Sequence, residues 1–163
     1  MTGNLADSLS VRPYAPDDAP ALSRVLREAV RVTASRYYAP DQIAAWLSIA
    51  PDAERIRTIY ADGRSAFVAC DPGGEPVAFS DHDDAGHIFF LYCAPSAGRR
   101  GAASLLMDAV EDSARRAGID RLDSDASEAA LGFFLKRGFR HVRRQDLEIG
   151  GVRIHNHRVE LDL

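Results

Sequence analysis

Residues 87–106 read HIFFLYCAPSAGRRGAASLL. The run His87, Ile88, Phe89, Phe90, Leu91, Tyr92 and Cys93 is apolar and of strand length, and a helical pattern begins after Gly101. Gly98, Arg99, Arg100 and Gly101 lie between them, and Ala102, Ala103 and Ser104 open the helix. The first turn of a helix leaves backbone N–H groups without partners at the positive end of its dipole, here beside two guanidinium groups. Gly101 and the two alanines carry almost no side chain, so a pyrophosphate can approach the backbone closely. Residues 98–104 are therefore expected to cradle a phosphorylated ligand.

The flanking segments extend the pattern. The helix after the loop carries Leu105, Leu106, Ala109, Val110 and Ser113 on one face and stops at Gly118. A second, shorter unit follows: a strand over 120–125, Ser127 as N-cap, and an apolar stripe of Ala130, Leu131, Phe134 and Leu135 ending at Lys136, Arg137 and Gly138.

Together these residues resemble the GNAT superfamily of acetyl-CoA-dependent acyltransferases. That family's pyrophosphate loop is Gln or Arg, two residues, Gly, one residue, then Gly or Ala; the places fall on Gly98, Gly101 and Ala103, and the first departs from the pattern. Its second landmark is Asn, two residues, Ala, two residues, an aromatic and Tyr, three residues, Gly-Phe. Ser127, Ala130, Phe133, Phe134, Gly138 and Phe139 occupy those places. Phe134 has no hydroxyl with which to protonate a leaving thiolate.

The resemblance, which covers residues 9–163, implies an α/β fold of the GNAT acyltransferase type. Its mixed central sheet has about six to seven strands, with helices on both faces and a splayed central strand pair. Between the splayed strands the backbone of Leu91, Tyr92 and Cys93 would bond the pantetheine amides of acetyl-CoA, replacing partners lost to the splay. Residues 98–104 would take the pyrophosphate, Ser127 a pantetheine amide, and Ala130, Phe133 and Phe134 would complete the cofactor cradle. The implied reaction moves an acetyl group from acetyl-CoA to a primary amine of a small molecule or peptide, by direct attack in a ternary complex. A catalytically silent acyl-CoA sensor and transfer of a longer acyl group are the alternatives. A homodimer is a family-level expectation.

Composition agrees with one domain over 1–163, of which 1–8 reads as a flexible tail. The chain has 163 residues, 46% hydrophobic and 27% charged. Its 20 basic and 24 acidic residues give a net charge of −4, against the clustered basic excess of a nucleic-acid binder. No apolar run approaches the roughly 20 residues that span a bilayer, and the N-terminus has no signal-like core, so no membrane association and a cytoplasmic location are expected. Cys70 and Cys93 sit in apolar strand-like runs and read as small hydrophobes.

Elsewhere the pattern predicts a strand over 9–14 and a helix capped by Asp17 or Asp18 with Leu22, Val25, Leu26, Ala29 and Val30 inward. Helices are also predicted from Pro40 with Ile43, Trp46 and Leu47 inward, and from Pro51 or Asp52 through Ile59. Strands over 65–70 and 75–80 flank Asp71, Pro72, Gly73 and Gly74, and a turn spans 82–86. A last hairpin pairs 139–149 with 152–161 around Gly150 and Gly151.

Attack on a thioester requires a neutral amine, and hence a proton acceptor. His87, at a place similar to one where amine acetyltransferases of the superfamily carry histidine, is the candidate base. Alternation along the strand puts it on one face with Phe89, Leu91 and Cys93. Asp81, in the polar cluster with His82, Asp83 and Asp84, and Asp125, on one strand face with Asp123, can relay a proton or hold a cationic acceptor. Tyr37, Tyr38 and Trp46 can wall the acceptor site. His155 and His157 share a strand face, yet no third ligand stands at a recognisable spacing, and no metal is expected. The leaving thiolate can take its proton from water or Tyr92, or depart unprotonated.

Overall fold

The structure, a computed structural model, describes residues 8–98 and 100–163. Most of the expected tail and Arg99 therefore lie outside the described residues; Ser8 is exposed and irregular. The strands are β1 (Ser10–Pro13), β2 (Ser65–Cys70), β3 (Pro76–His82), β4 (His87–Ile88), β5 (Leu91–Cys93), β6 (Arg121–Ala126), β7 (Arg140–Ile149) and β8 (Val152–Asp162). The α-helices are α1 (Ala19–Glu28), α2 (Pro40–Ser48), α3 (Ala53–Tyr60), α4 (Ala102–Arg116) and α5 (Glu128–Lys136). No described helix is long and apolar enough to cross a membrane.

The strands form two four-stranded sheets, ordered β1-β2-β3-β5 and β4-β6-β8-β7. What the sequence presents as one strand over 87–93 is thus shared between them. Its first part pairs in parallel with β6 through His87↔Asp123 and Ile88↔Ser124. Its last part pairs antiparallel with β3, from Ser80↔Leu91 to Ala78↔Cys93. Counting 87–93 once gives seven strands, and the break at Phe89 and Phe90 makes eight.

Buried polar side chains hold the break open. Asp81 Oδ1 accepts the Phe89 N–H at 2.8 Å, the Ser80 hydroxyl donates to the Phe90 carbonyl at 2.8 Å, and the Ser124 hydroxyl donates to the Ile88 carbonyl at 2.9 Å. These bonds replace ladder bonds lost where the strand changes sheets. Just before it, Gly86 has φ +87°, and a Cβ there would sit 2.1 Å from the Arg121 carbonyl oxygen. Only glycine allows the turn to lie that close to β6.

Every residue from Ala78 to His82 is buried, so β3 is covered on both faces, as a central strand must be. Leu22, Val25 and Leu26 of α1 join Val68, Phe79, Ala102 and Leu106 in one apolar core. Met107, Val110 and Ala114 of α4 carry the packing on to Ile88, Leu122, Phe134 and Val159. The inward face of α4 differs from the expected one: Leu105 is 38% exposed, while Met107 and Ala114 are buried. One reason lies at Glu111, turned inward to meet Arg137, whose Nε donates to its carboxylate at 2.9 Å. On α5, Leu135 likewise faces out and Phe134 faces in.

Asp18 stands at the N-cap position of α1 without capping it. Its carboxylate instead accepts from both terminal nitrogens of Arg12, at 2.7 and 2.8 Å, and from the Ala15 N–H at 2.8 Å. Asp52 does cap α3, accepting from the Arg55 N–H at 2.8 Å. Strand β3 runs on to His82, two residues beyond the expected end and into the expected turn.

Candidate functional site

Beyond Ile88↔Ser124 the parallel pair opens. Strand β6 continues through Asp125 and Ala126 paired only with β8, while β5 has turned toward β3. The gap holds two connected clefts. The larger, about 330 Å³, is lined by Val30, Thr33, Cys93, Ala94, Gly98, Ala103 and Phe133 among others. The smaller, about 270 Å³, includes Tyr38, Phe89, Ser124, Asp125, Phe134, His155 and Asn156. Trp46, Leu91, Tyr92, Ser127 and Ala130 line both, so the two volumes meet at the splay.

The larger cleft collects most of the residues that the sequence assigns to a cofactor. Leu91, Tyr92, Cys93, Gly98, Ala103, Ser127, Ala130 and Phe133 line it, and Phe134 lines the smaller one. Gly101 starts α4 at φ +81°, and no side chain at that position caps the helix, leaving its first-turn N–H groups as donors. Ala102 is buried beneath the turn, while Arg100 and Ser104 are exposed. Ser127 caps α5 by accepting the Ala130 N–H at 3.2 Å, which leaves its hydroxyl proton available to donate.

Burial sets the acidity of the groups at the splay. It pushes the Tyr92 phenol up to about 12, partly opposed by the neighbouring Trp46 indole. It pushes the Cys93 thiol up to about 11, the reverse of what a thiolate nucleophile needs. Burial also raises the Asp81 carboxyl to about 6, against the bonds it accepts from Tyr60 and Phe89.

The acceptor-side candidates divide. Tyr38 and Asp125 line the smaller cleft. The Tyr38 hydroxyl donates to the His155 carbonyl at 2.8 Å and accepts the Glu128 N–H at 3.0 Å, joining β8 to α5. Asp125 pairs with Arg158 Nε at 2.9 Å and accepts from Gln145 Nε2 at 2.8 Å. Tyr37, 54% exposed, lines neither cleft. Asp81 has no exposed surface and also lines neither; its two oxygens hold the Phe89 N–H and, at 2.6 Å, the Tyr60 hydroxyl.

His87 is likewise absent from both linings. Its Nδ1 hydrogen-bonds Asp123, which also pairs with Arg158 at 2.9 Å, and its ring meets the edge of Phe89 with centroids 4.5 Å apart. The Arg64 guanidinium lies over the same Phe89 ring at 4.0 Å.

The histidine that does reach the smaller cleft is His155, which the sequence reading placed in a strand without a role. Its Nε2 donates to Glu128 Oε1 at 2.6 Å, and His157 Nε2 donates to the same oxygen at 2.5 Å. These bonds draw the Glu128 carboxyl below its usual range. The two histidines share a face by strand alternation, but Glu128 lies 27 residues from His155, and no local pattern links them.

The sequence model of the family described as "Acetyltransferase (GNAT) domain" matches residues 34–161. The Escherichia coli (strain K12) protein described as the uncharacterized N-acetyltransferase YafP is 33% identical over 146 residues, covering 90% of this chain and 91% of its own. A GCN5-related N-acetyltransferase from Rhodopseudomonas palustris superposes with a TM-score of 0.88 at 30% identity, covering 99% of this chain and 100% of its own. The PaiA N-acetyltransferase from Thermoplasma acidophilum, solved with coenzyme A, shares the fold at a TM-score of 0.75 and 17% identity, over 96% of this chain and 99% of its own. With the splay and the uncapped, glycine-initiated helix in place, these matches establish that the chain belongs to the GNAT acetyltransferase family and is an acyltransferase.

Proposed function

We propose that this chain transfers an acetyl group from acetyl-CoA to a primary amine of a small molecule or peptide, by direct attack while both are bound. The observation that carries the reading is the splay itself: Leu91, Tyr92 and Cys93 turn away from β6 at the meeting point of two clefts. The larger cleft runs past Gly98 and Ala103 toward the start of α4, the course a pantetheine arm takes if its pyrophosphate sits on first-turn N–H groups. The acetyl group then lies beside Tyr92, and the amine enters through the smaller cleft.

Asp125 is the acid group of that smaller cleft that we assign to the amine. Its carboxylate holds the incoming ammonium and takes its proton by way of cleft water. His87, tied to Asp123 behind Phe89, is left without a direct part, and so is the buried Asp81. With Phe134 at the usual tyrosine place, Tyr92 is the phenol that lines both clefts. Burial holds the Tyr92 phenol well above its ordinary acidity range, so Tyr92 donates a hydrogen bond and the thiolate departs as an anion.

Calorimetry with coenzyme A, combined with thiol release from acetyl-CoA over an amine panel, tests the reading. Binding with turnover on at least one amine supports it. Binding without turnover on any amine favours a silent acyl-CoA sensor, and no heat with coenzyme A overturns both. Faster release from a longer acyl-CoA would replace acetyl as the transferred group.

A further inference from the structure

The geometry points to a divalent metal site of the zinc class formed by Glu128, His155 and His157, at the wall of the smaller cleft. One carboxylate oxygen and two imidazole nitrogens lie within 4.8 Å of one another, contributed by the first residue of α5 and by two same-face residues of β8. Two histidines and one glutamate form a donor set that suits zinc with a fourth position left open. Nitrogen and oxygen donors of this mix also accept cobalt and nickel.

Three features go beyond a chance meeting of polar side chains. First, both imidazoles aim Nε2 at the same oxygen, Glu128 Oε1, at 2.6 and 2.5 Å. Ligand atoms around a tetrahedral zinc with bonds of about 2.0–2.1 Å stand about 3.3 Å apart, so each oxygen–nitrogen separation needs to widen by under about 1 Å. Glu128, with a partly exposed side chain at the start of a helix, can supply that widening.

Second, the other ring nitrogen of His157 is already engaged, with Nδ1 2.9 Å from His141 Nε2. When Nε2 holds a metal, Nδ1–H donates to His141, the outer-shell bond that fixes ring orientation and tautomer in metal-bound histidines. Third, the Tyr38 hydroxyl bridges the His155 carbonyl and the Glu128 N–H, pinning the two elements that carry the ligands. His155 also lines the smaller cleft, so the cluster borders it.

The ligands must shed their protons to bind, so zinc entry releases protons from the cluster. Metal chemistry here is independent of acetyl transfer, and either reading can fail alone.

Isothermal titration of the full-length, chelator-stripped protein with zinc chloride, and optical titration with cobalt chloride, test the site. The expected result is one zinc per chain and a cobalt absorption band of low-symmetry coordination. His155→Ala and His157→Ala should each weaken zinc binding by more than about 100-fold, and His141→Phe by about 10-fold. Coenzyme A binding and the far-UV spectrum, measured on each variant, report whether the fold is intact. In variants that retain coenzyme A binding, unchanged zinc affinity overturns the site. So does absence of zinc heat in the parent protein.

Discussion

Asp81 Oδ1 accepts the Phe89 N–H at 2.8 Å at the point where the 87–93 run leaves one sheet for the other. The carboxylate has no exposed surface and its other oxygen takes the Tyr60 hydroxyl at 2.6 Å. A buried acid therefore props open the gap into which the clefts extend.

Burial places this carboxyl at about 6 when folded, above its ordinary 3.8. Between those values the folded protein binds more protons than the unfolded chain, so this group makes stability fall as pH rises from about 4 to 6. The contribution is then constant, at about 3 kcal/mol lost. Asp81→Asn keeps an oxygen for Phe89 and removes the titration. Urea denaturation of both proteins should show the difference moving in the parent's favour by up to about 3 kcal/mol as pH falls from 7 to 4. A difference independent of pH would contradict the assignment.

Two glycines with nearly equal φ should respond differently to alanine. Gly86→Ala drives a Cβ to 2.1 Å from the Arg121 carbonyl and is expected to cost more than about 3 kcal/mol in urea denaturation. Gly101→Ala meets no atom within 4 Å and is expected to cost about 1–2 kcal/mol of left-handed strain. Its cost should show instead in coenzyme A affinity, because the new methyl sits beside the first-turn N–H groups of α4.

The phenol at the splay is tested by a pair of variants. Tyr92→Phe removes a hydrogen bond to the departing thiolate, worth about 1.5–3 kcal/mol, and should lower kcat about 10- to 100-fold with coenzyme A affinity retained. Phe134→Tyr adds the missing hydroxyl to a ring only 1% exposed and stacked on Phe139. Steady-state rates should then change by less than about 3-fold, since the thiolate leaves without a full proton. A large gain would show that the absent acid limits turnover.

Asp125→Asn should raise KM for the amine about 10-fold, by removing the charge that meets the ammonium. Coenzyme A affinity should be unchanged, since Asp125 lines only the smaller cleft. An equal loss with every amine and with coenzyme A would indicate general damage, since Asp125 also anchors Arg158 and Gln145.

Much of this protein is written in local chemistry. The N-caps Asp52 and Ser127, the glycine opening α4, the Asp71–Gly74 turn and the final hairpin each depend on a few neighbouring residues, and all lie where periodicity and turn preference put them. What local pattern left hidden is set by distant partners. The break at Phe89 needs Ser80 and Asp81 on β3. The turn of α4 away from Leu105 involves Arg137, and the cluster beside the cleft joins Glu128 to His155 and His157. Such pairings form only when the sheets pack and bury these polar groups where each must find a partner, a constraint that spacing along the chain does not encode.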